Sequence, residues 1–142
     1  MLPLNEAISN YLQTKEWDFF ITVTAKRPRR DAIAFNRDLW GKIRLLGFDR
    51  GFLACEPHRY SRNLHSHGLI YRPPGVAKFE GKYIEKRLQS ADISMFGSEY
   101  GFPAFGFSRC EPINNSGSVS SYCSKYVTKL GDGDNYDFYG DW

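Results

Sequence analysis

Two histidines separated by one residue are the clearest candidates for chemistry in this chain. His65 and His67 flank Ser66 inside a largely apolar run, and they are two of only three histidines in the chain. Alternate side chains of a β-strand point to the same side, about 7 Å apart along the backbone. If the run is a strand, both imidazoles share a face, which is typical of a metal site. Such a pair also occurs in strands where the histidines merely pack or form hydrogen bonds.

A metal held by two imidazoles needs a further ligand, and the preceding predicted strand offers one. Glu56 is the first candidate, because a carboxylate suits Mg²⁺ or Mn²⁺ and offsets part of the ion's charge. His58 is a possible alternative, although Pro57 interrupts the regular strand just before it. A zinc site that adds Cys55 and His58 to the pair is disfavoured, because these two residues differ in strand parity.

A repeated Tyr-x-x-Lys pattern supplies two candidate nucleophiles. Tyr122 is followed by Lys125, and Tyr126 is followed by Lys129. On a helix the two tyrosines lie one above the other, and each lysine lies one turn beyond a phenol. An ammonium near a phenol, whose ordinary pKa is about 10, favours the phenolate and can neutralise a phosphate. The alternative is that the tyrosines only cover a sheet.

A metal pair combined with nucleophilic tyrosines indicates phosphodiester chemistry. Cutting a phosphodiester requires that the phosphate is polarised and that a nucleophile is held in line with the leaving oxygen. The tyrosine helix lies more than fifty residues downstream of the histidine pair.

The elements that must position these residues follow from periodicity and from capping residues. Asp31 is a candidate N-cap for the clearest helix, and Gly47 stands where a C-terminal glycine belongs. The predicted helices cover residues 4–14, 32–46, 80–91 and 114–130, and the predicted strands cover residues 17–25, 51–56, 64–71 and 105–111. This order predicts an α+β, ferredoxin-like sandwich with a central antiparallel sheet of four to five strands and helices packed on it.

Length and charge indicate one domain that binds a polyanion. The 142 residues are enough for a single core, so we expect one domain over 1–142, with 131–142 as an acidic aromatic C-terminal tail. The net charge of +3 conceals a basic body, because four aspartates lie in that tail. A basic body is expected of a polyanion binder, and a modest excess of Lys and Arg is also common on ordinary solvated surfaces. Candidate DNA contacts are Arg27, Arg29, Arg30, Arg59, Arg62 and Thr24. Thr24 also suits a strand through its β-propensity alone.

Cysteine usage and the absence of apolar segments indicate a cytoplasmic protein. The three cysteines are an odd number without Cys-x-x-Cys spacing, which favours a reducing compartment. We expect no secretory signal and no membrane span, because the start of the chain lacks an apolar segment and no run of eighteen apolar residues occurs. The chain also has no phosphate-binding Gly-x-x-x-x-Gly-Lys-Ser/Thr loop, so a helicase motor would belong to a separate protein or to a region outside this sequence.

Three segments of the chain carry a family resemblance. The strand around Phe20 to Thr24, the block from Glu56 to His67 and the repeated Tyr-x-x-Lys helix resemble the three ordered motifs of HUH endonucleases of the rolling-circle replication initiator (Rep) type. The similarity in order and spacing extends from about residue 17 to 130. Ser66 departs from the family pattern, in which the residue between the histidines is usually bulky and apolar.

The resemblance implies a specific activity and a role for each site residue. His65, His67 and Glu56 would bind Mg²⁺ or Mn²⁺, Tyr122 and Tyr126 would attack single-stranded DNA from the C-terminal helix, and Lys125 and Lys129 would support them. Attack leaves a 5′-phosphotyrosine and a free 3′-OH that primes replication, and reversal joins strands.

The doubled tyrosine resembles the initiators of small single-stranded DNA phages, although an arrangement with one active tyrosine stays open. The implied setting is a phage- or plasmid-encoded protein in a prokaryotic host, acting on an origin stem-loop with a separate helicase and polymerase. The alternatives are an HUH single-strand transposase and a non-catalytic ferredoxin-like nucleic-acid-binding module.

Overall fold

The computed structural model describes residues 4–25, 31–45, 47–57, 64–73, 105–113, 116–130 and 135–142. Within these ranges the helices are α1 (Leu4–Gln13), α2 (Ala32–Leu45), α3 (Ser116–Lys125) and a 3₁₀ turn (Val127–Lys129). The strands are β1 (Phe19–Ala25), β2 (Arg50–Pro57), β3 (Leu64–Tyr71), β4 (Phe105–Pro112) and β5 (Asn135–Gly140). The α+β class is confirmed, whereas the helix predicted over 80–91 lies outside the described residues.

The described strands form one antiparallel sheet with the order β4-β1-β3-β2-β5. β3 pairs with both β1 and β2 in antiparallel fashion, so β1 and β2 run parallel with β3 inserted between them. Helix α2 connects β1 to β2, which matches the split β-α-β unit of ferredoxin-like folds. The predicted antiparallel sheet is therefore confirmed, with β3 at its centre.

Each face of the sheet buries its own apolar cluster. On one face, Phe35, Leu39 and Ile43 of α2 pack against β1 residues such as Ile21 and Val23. On the other face, helices α1 and α3 cover the sheet with a second cluster, which contains Ile8, Leu12, Phe52, Leu69, Val119, Tyr122, Cys123 and Val127. Side chains alternate along each strand, so successive residues point to the two different faces. Helix α2 covers one of these faces, and helices α1 and α3 cover the other.

Helix α2 begins and ends as its sequence predicts. The N–H of Ala34 donates a hydrogen bond of 3.0 Å to Oδ1 of Asp31, so Asp31 is the N-cap. At the other end Gly47 has a φ of 99°, the left-handed conformation that glycine adopts without steric cost, and its N–H donates to the carbonyl of Arg44.

The C-terminal segment contains a strand that the sequence pattern does not predict. Residues 131–142 read as an acidic aromatic tail, but Asn135–Gly140 forms β5 and pairs with β2 along the edge of the sheet. Tyr139 stacks on Trp40 on one face, while Phe138 packs against Phe52 on the other. Because aromatic side chains on both faces of β5 are partly buried, the segment lacks the polar and apolar alternation that marks a half-buried strand.

The final helix is shorter than predicted. Regular α-helix ends at Lys125, and the chain continues through Tyr126 into the 3₁₀ turn. The hydroxyl of Thr128 donates a 2.8 Å hydrogen bond to the carbonyl of Ser124, which is the carbonyl that the Thr128 N–H would bond in a continued α-helix. This competition tightens the last turn. No helix in the described parts of the chain is long and apolar enough to cross a membrane.

Candidate functional site

The sheet face beneath α3 holds the predicted metal ligands together. Glu56 lies directly opposite His65 in the β2–β3 ladder, and Thr24 lies opposite His65 on the β1 side. Thr22 of β1 lies opposite His67. The alternation of three adjacent strands therefore brings an acid, two imidazoles and two hydroxyls onto one patch of sheet.

Glu56 and His65 are in direct contact. Nε2 of His65 donates a hydrogen bond of 2.6 Å to Oε1 of Glu56, across the two strands. The side chains of His65 and Glu56 are 20% and 36% exposed, respectively, so this pair lies at the solvent-facing margin of the patch. The contact confirms that Glu56 and His65 share a face.

His67 lies deeper and contacts the tyrosine helix. Its Nδ1 is hydrogen-bonded to the hydroxyl of Tyr122 at 3.1 Å, although 55 residues separate the two in sequence. The ring centroids of His65 and His67 are 6.4 Å apart. Burial, together with the neighbouring His65, lowers the pKa of His67 to about 4. His67 is therefore a neutral imidazole near pH 7, the form that binds a metal.

The two tyrosines both face His67, but their surroundings differ. The Tyr126 ring lies 4.6 Å from the His67 ring, and the two tyrosine rings are 5.4 Å apart. Tyr122 is only 5% exposed, whereas Tyr126 is half-buried and follows the last residue of α3. Burial raises the pKa of Tyr122 well above its ordinary value, and Cys123, Tyr126 and Glu56 contribute to the rise.

The two lysines of the repeat differ in what they contact. Nζ of Lys125 lies 5.3 Å from the ring centroid of Tyr126, the residue that follows it. Lys129 is exposed in the 3₁₀ turn. The first Tyr-x-x-Lys repeat lies within α3, whereas the second runs from Tyr126 through the 3₁₀ turn.

Phe20 belongs to the site, although sequence reasoning gave it no role. Its ring lies 5.0 Å from that of Tyr122 and 5.7 Å from that of Tyr126, nearly parallel to the latter at 22°. Phe20 is on β1, two residues before Thr22, so it shares the site's face of the sheet. The sequence signal that could have identified Phe20 is its position two residues before Thr22, which places an aromatic ring on the same face of the first strand.

Glu56, His65 and His67 fit a divalent cation by donor type and by their shared face. No group of three His, Cys, Asp or Glu side chains among the described residues is arranged to hold a metal ion in this conformation. His65 Nε2 and His67 Nδ1 instead form the hydrogen bonds to Glu56 and Tyr122. A cation that takes Glu56 and His65 together would replace the hydrogen bond between them.

The remaining predicted site residues fall into three groups. Cys55 belongs to the apolar cluster on the α2 face, so the structure separates it from the two histidines and removes it from a shared zinc site. Thr24 is half-buried and lies on the same face as the histidines. His58, the possible third metal ligand, lies outside the described residues. The same is true of five candidate DNA contacts, which are Arg27, Arg29, Arg30, Arg59 and Arg62.

Comparison of the chain with protein-family models, with curated proteins and with solved structures gave no match.

Proposed function

We propose that this chain is a metal-dependent endonuclease and strand transferase for single-stranded DNA, of the HUH Rep type, that initiates rolling-circle replication. One observation carries the proposal: the Tyr122 hydroxyl lies 3.1 Å from Nδ1 of His67, on the sheet face that also holds His65 and Glu56. Two tyrosines beside neutral imidazole and carboxylate donors are the groups required for phosphodiester transesterification.

The proposed reaction conserves phosphodiester bonds. A tyrosine oxygen loses its proton and attacks the phosphorus, the bond from phosphorus to the 3′ oxygen breaks, and that oxygen leaves as a 3′-OH after taking up a proton. The 5′ phosphate stays on the tyrosine. Attack by a 3′-OH on this phosphotyrosine reverses the steps and joins strands, so neither direction needs a nucleotide cofactor.

The residues around the tyrosines divide the remaining tasks. Glu56, His65 and His67 would hold Mg²⁺ or Mn²⁺, and the ion supplies Lewis-acid polarisation of the phosphate when it is bound. The Lys125 ammonium, beside Tyr126, offsets the negative charge that develops during attack. Phe20 backs both tyrosine rings and limits their rotation. In this proposal the protein acts in the cytoplasm of a prokaryotic host, on an origin stem-loop, with a separate helicase and polymerase.

The test is covalent capture of DNA by the protein. The full chain is incubated with a 5′-labelled and 3′-labelled library of single-stranded stem-loops and Mn²⁺, with EDTA as the matched control. We expect an adduct that resists denaturing detergent, carries the DNA 3′ of the cut and is absent with EDTA. Tyr11→Phe is the control variant, because Tyr11 stacks on Trp142 away from the histidines.

Three results would overturn the proposal. An adduct that persists when Tyr122 and Tyr126 are both replaced by Phe would show that neither is the nucleophile. If EDTA does not change the binding of single-stranded DNA and no stem-loop is cleaved, the chain is a non-catalytic binding module. Precise excision and joining of flanking strands, in preference to nicking, would indicate a transposase.

A further inference from the structure

The two tyrosines of the site occupy unlike environments, which suggests unlike roles. Tyr122 lies in the middle of α3, within the apolar cluster that α1 and α3 form on the sheet. Tyr126 is half-buried and packs against that cluster from its edge. A DNA phosphate carries a charge that is costly to bring into an apolar cluster. The phenol at the edge is therefore the one that a phosphate reaches with less desolvation.

The local charge also favours the approach of a phosphate to Tyr126. Lys125 places its ammonium 5.3 Å from the Tyr126 ring centroid, and Lys125 itself is exposed. An exposed cation next to a half-buried phenol offers a phosphate a partner on entry. Tyr122 has the His67 ring as its polar neighbour, with the hydroxyl already bonded to Nδ1.

Tyr126 lies where the regular helix ends, whereas Tyr122 lies within the helix. Tyr126 has a φ of −118°, far from the helical value of about −63°, and it joins α3 to the 3₁₀ turn. Its N–H donates to the carbonyl of Tyr122 at 2.9 Å, and its carbonyl accepts from the N–H of Lys129 at 3.3 Å, so Tyr126 links the α-helix to the 3₁₀ turn. A ring at a helix end can adjust to a substrate without disrupting the helix interior.

The contact between Tyr122 and His67 has the form of an outer-shell interaction. A metal-binding histidine commonly donates its second ring N–H to an oxygen, which fixes the tautomer and the ring orientation. If the Tyr122 oxygen accepts the Nδ1–H of His67, the lone pair lies on Nε2, where it can bind a cation. Tyr122 then acts on the reaction through His67.

We infer that Tyr126 is the nucleophile of the first cut, with Lys125 as its cationic partner, and that Tyr122 is a positioning residue that orients His67. This inference rests on the proposed function, because it divides the nicking reaction between its two tyrosines.

The experiment maps the adduct in the unmodified chain, which avoids any dependence on variants. A single-site oligonucleotide that the protein cuts is used, so that only the first attack occurs. Trypsin cleaves after Lys125 and so places Tyr122 and Tyr126 in different peptides. We expect mass spectrometry to find the nucleotide on the peptide that begins at Tyr126. A nucleotide on Tyr122 would overturn the assignment, whereas a chain that cuts no DNA would contradict the proposed function itself.

Two variants test the division of roles. Tyr126→Phe is expected to abolish the adduct and to leave Mn²⁺ binding, measured by calorimetry without DNA, unchanged. Tyr122→Phe is expected to retain the adduct on Tyr126 and to weaken Mn²⁺ binding by about tenfold, the lower end of the usual outer-shell effect. Tyr11→Phe should match the wild type in both measurements. Loss of the adduct in Tyr122→Phe, or unaltered Mn²⁺ binding, would overturn the positioning role.

Discussion

The hydroxyl of Ser66 donates a hydrogen bond to Oδ1 of Asn36, and both side chains are buried. Ser66 lies between the two histidines but points to the opposite face of the sheet, toward α2. Asn36 also donates a hydrogen bond of 3.5 Å to the carbonyl of Asn135, at the start of β5. A buried polar pair thus occupies the place where the resemblance called for a bulky apolar residue.

Removing one partner of this pair should destabilise the protein more than removing both. Ser66→Ala or Asn36→Leu leaves a buried polar group without its partner, which costs about 1–3 kcal/mol. The double variant Ser66→Ala with Asn36→Leu should recover much of that loss, because apolar groups then face each other. Urea unfolding of the four proteins provides the test. Additive losses in the double variant would show that the two residues are not coupled.

Glu56 should control metal binding through its position opposite His65. Glu56→Gln keeps the shape and a hydrogen-bond acceptor but removes the charge, so Mn²⁺ affinity should fall by at least about tenfold. Calorimetric titration of the full chain with Mn²⁺ measures this. Glu6→Gln is the matched control, because Glu6 is an exposed acid on α1. Equal Mn²⁺ affinities of the two variants would remove Glu56 from the ligand set.

The stability of the metal-free protein should decrease in acid because of His67. The pKa of His67 is lowered from 6.5 to about 4 in the folded chain, so between these values the unfolded chain binds a proton that the folded chain does not. The free energy of unfolding should therefore be highest above pH 6.5 and should fall as the pH approaches 4, by up to a few kcal/mol. Urea unfolding in EDTA measures this trend. His67→Asn should flatten it, and an equally steep trend in that variant would assign it to other groups.

The same substitution at two glycines should have opposite effects. Gly140 has a φ of 88°, and a Cβ there would overlap the carbonyl oxygen of Asp49, so Gly140→Ala should lower stability by more than about 1 kcal/mol. Gly41 lies in α2, where an added methyl group would meet only open space, so Gly41→Ala should raise stability by about 0.5–1 kcal/mol. Thermal unfolding compares the two variants. If Gly140→Ala leaves the stability unchanged, the end of β5 does not lie as close to the carbonyl of Asp49 as the structure shows.

Local sequence patterns are sufficient to predict most of the described helices and strands. Asp31 and Gly47 bound α2 because capping acts within a few residues. The parity of residues 65 and 67 places both histidines on one face, because a strand alternates regardless of its neighbours. Strand β5 is not predictable in this way, because the aromatic residues on its two faces pack against α2 and against α1, which are distant in sequence.

The residue types that could act in the site follow from the sequence alone: two histidines on one strand face, an acid on the preceding strand and two tyrosines with lysines. Their partners depend on the tertiary structure. Glu56 contacts His65 because β2 and β3 pair in that register, and Tyr122 reaches His67 because α3 packs on that face. Packing on the sheet also buries Tyr122 and leaves Tyr126 half-buried. These distinctions depend on long-range packing, which the spacing of residues along the chain does not encode.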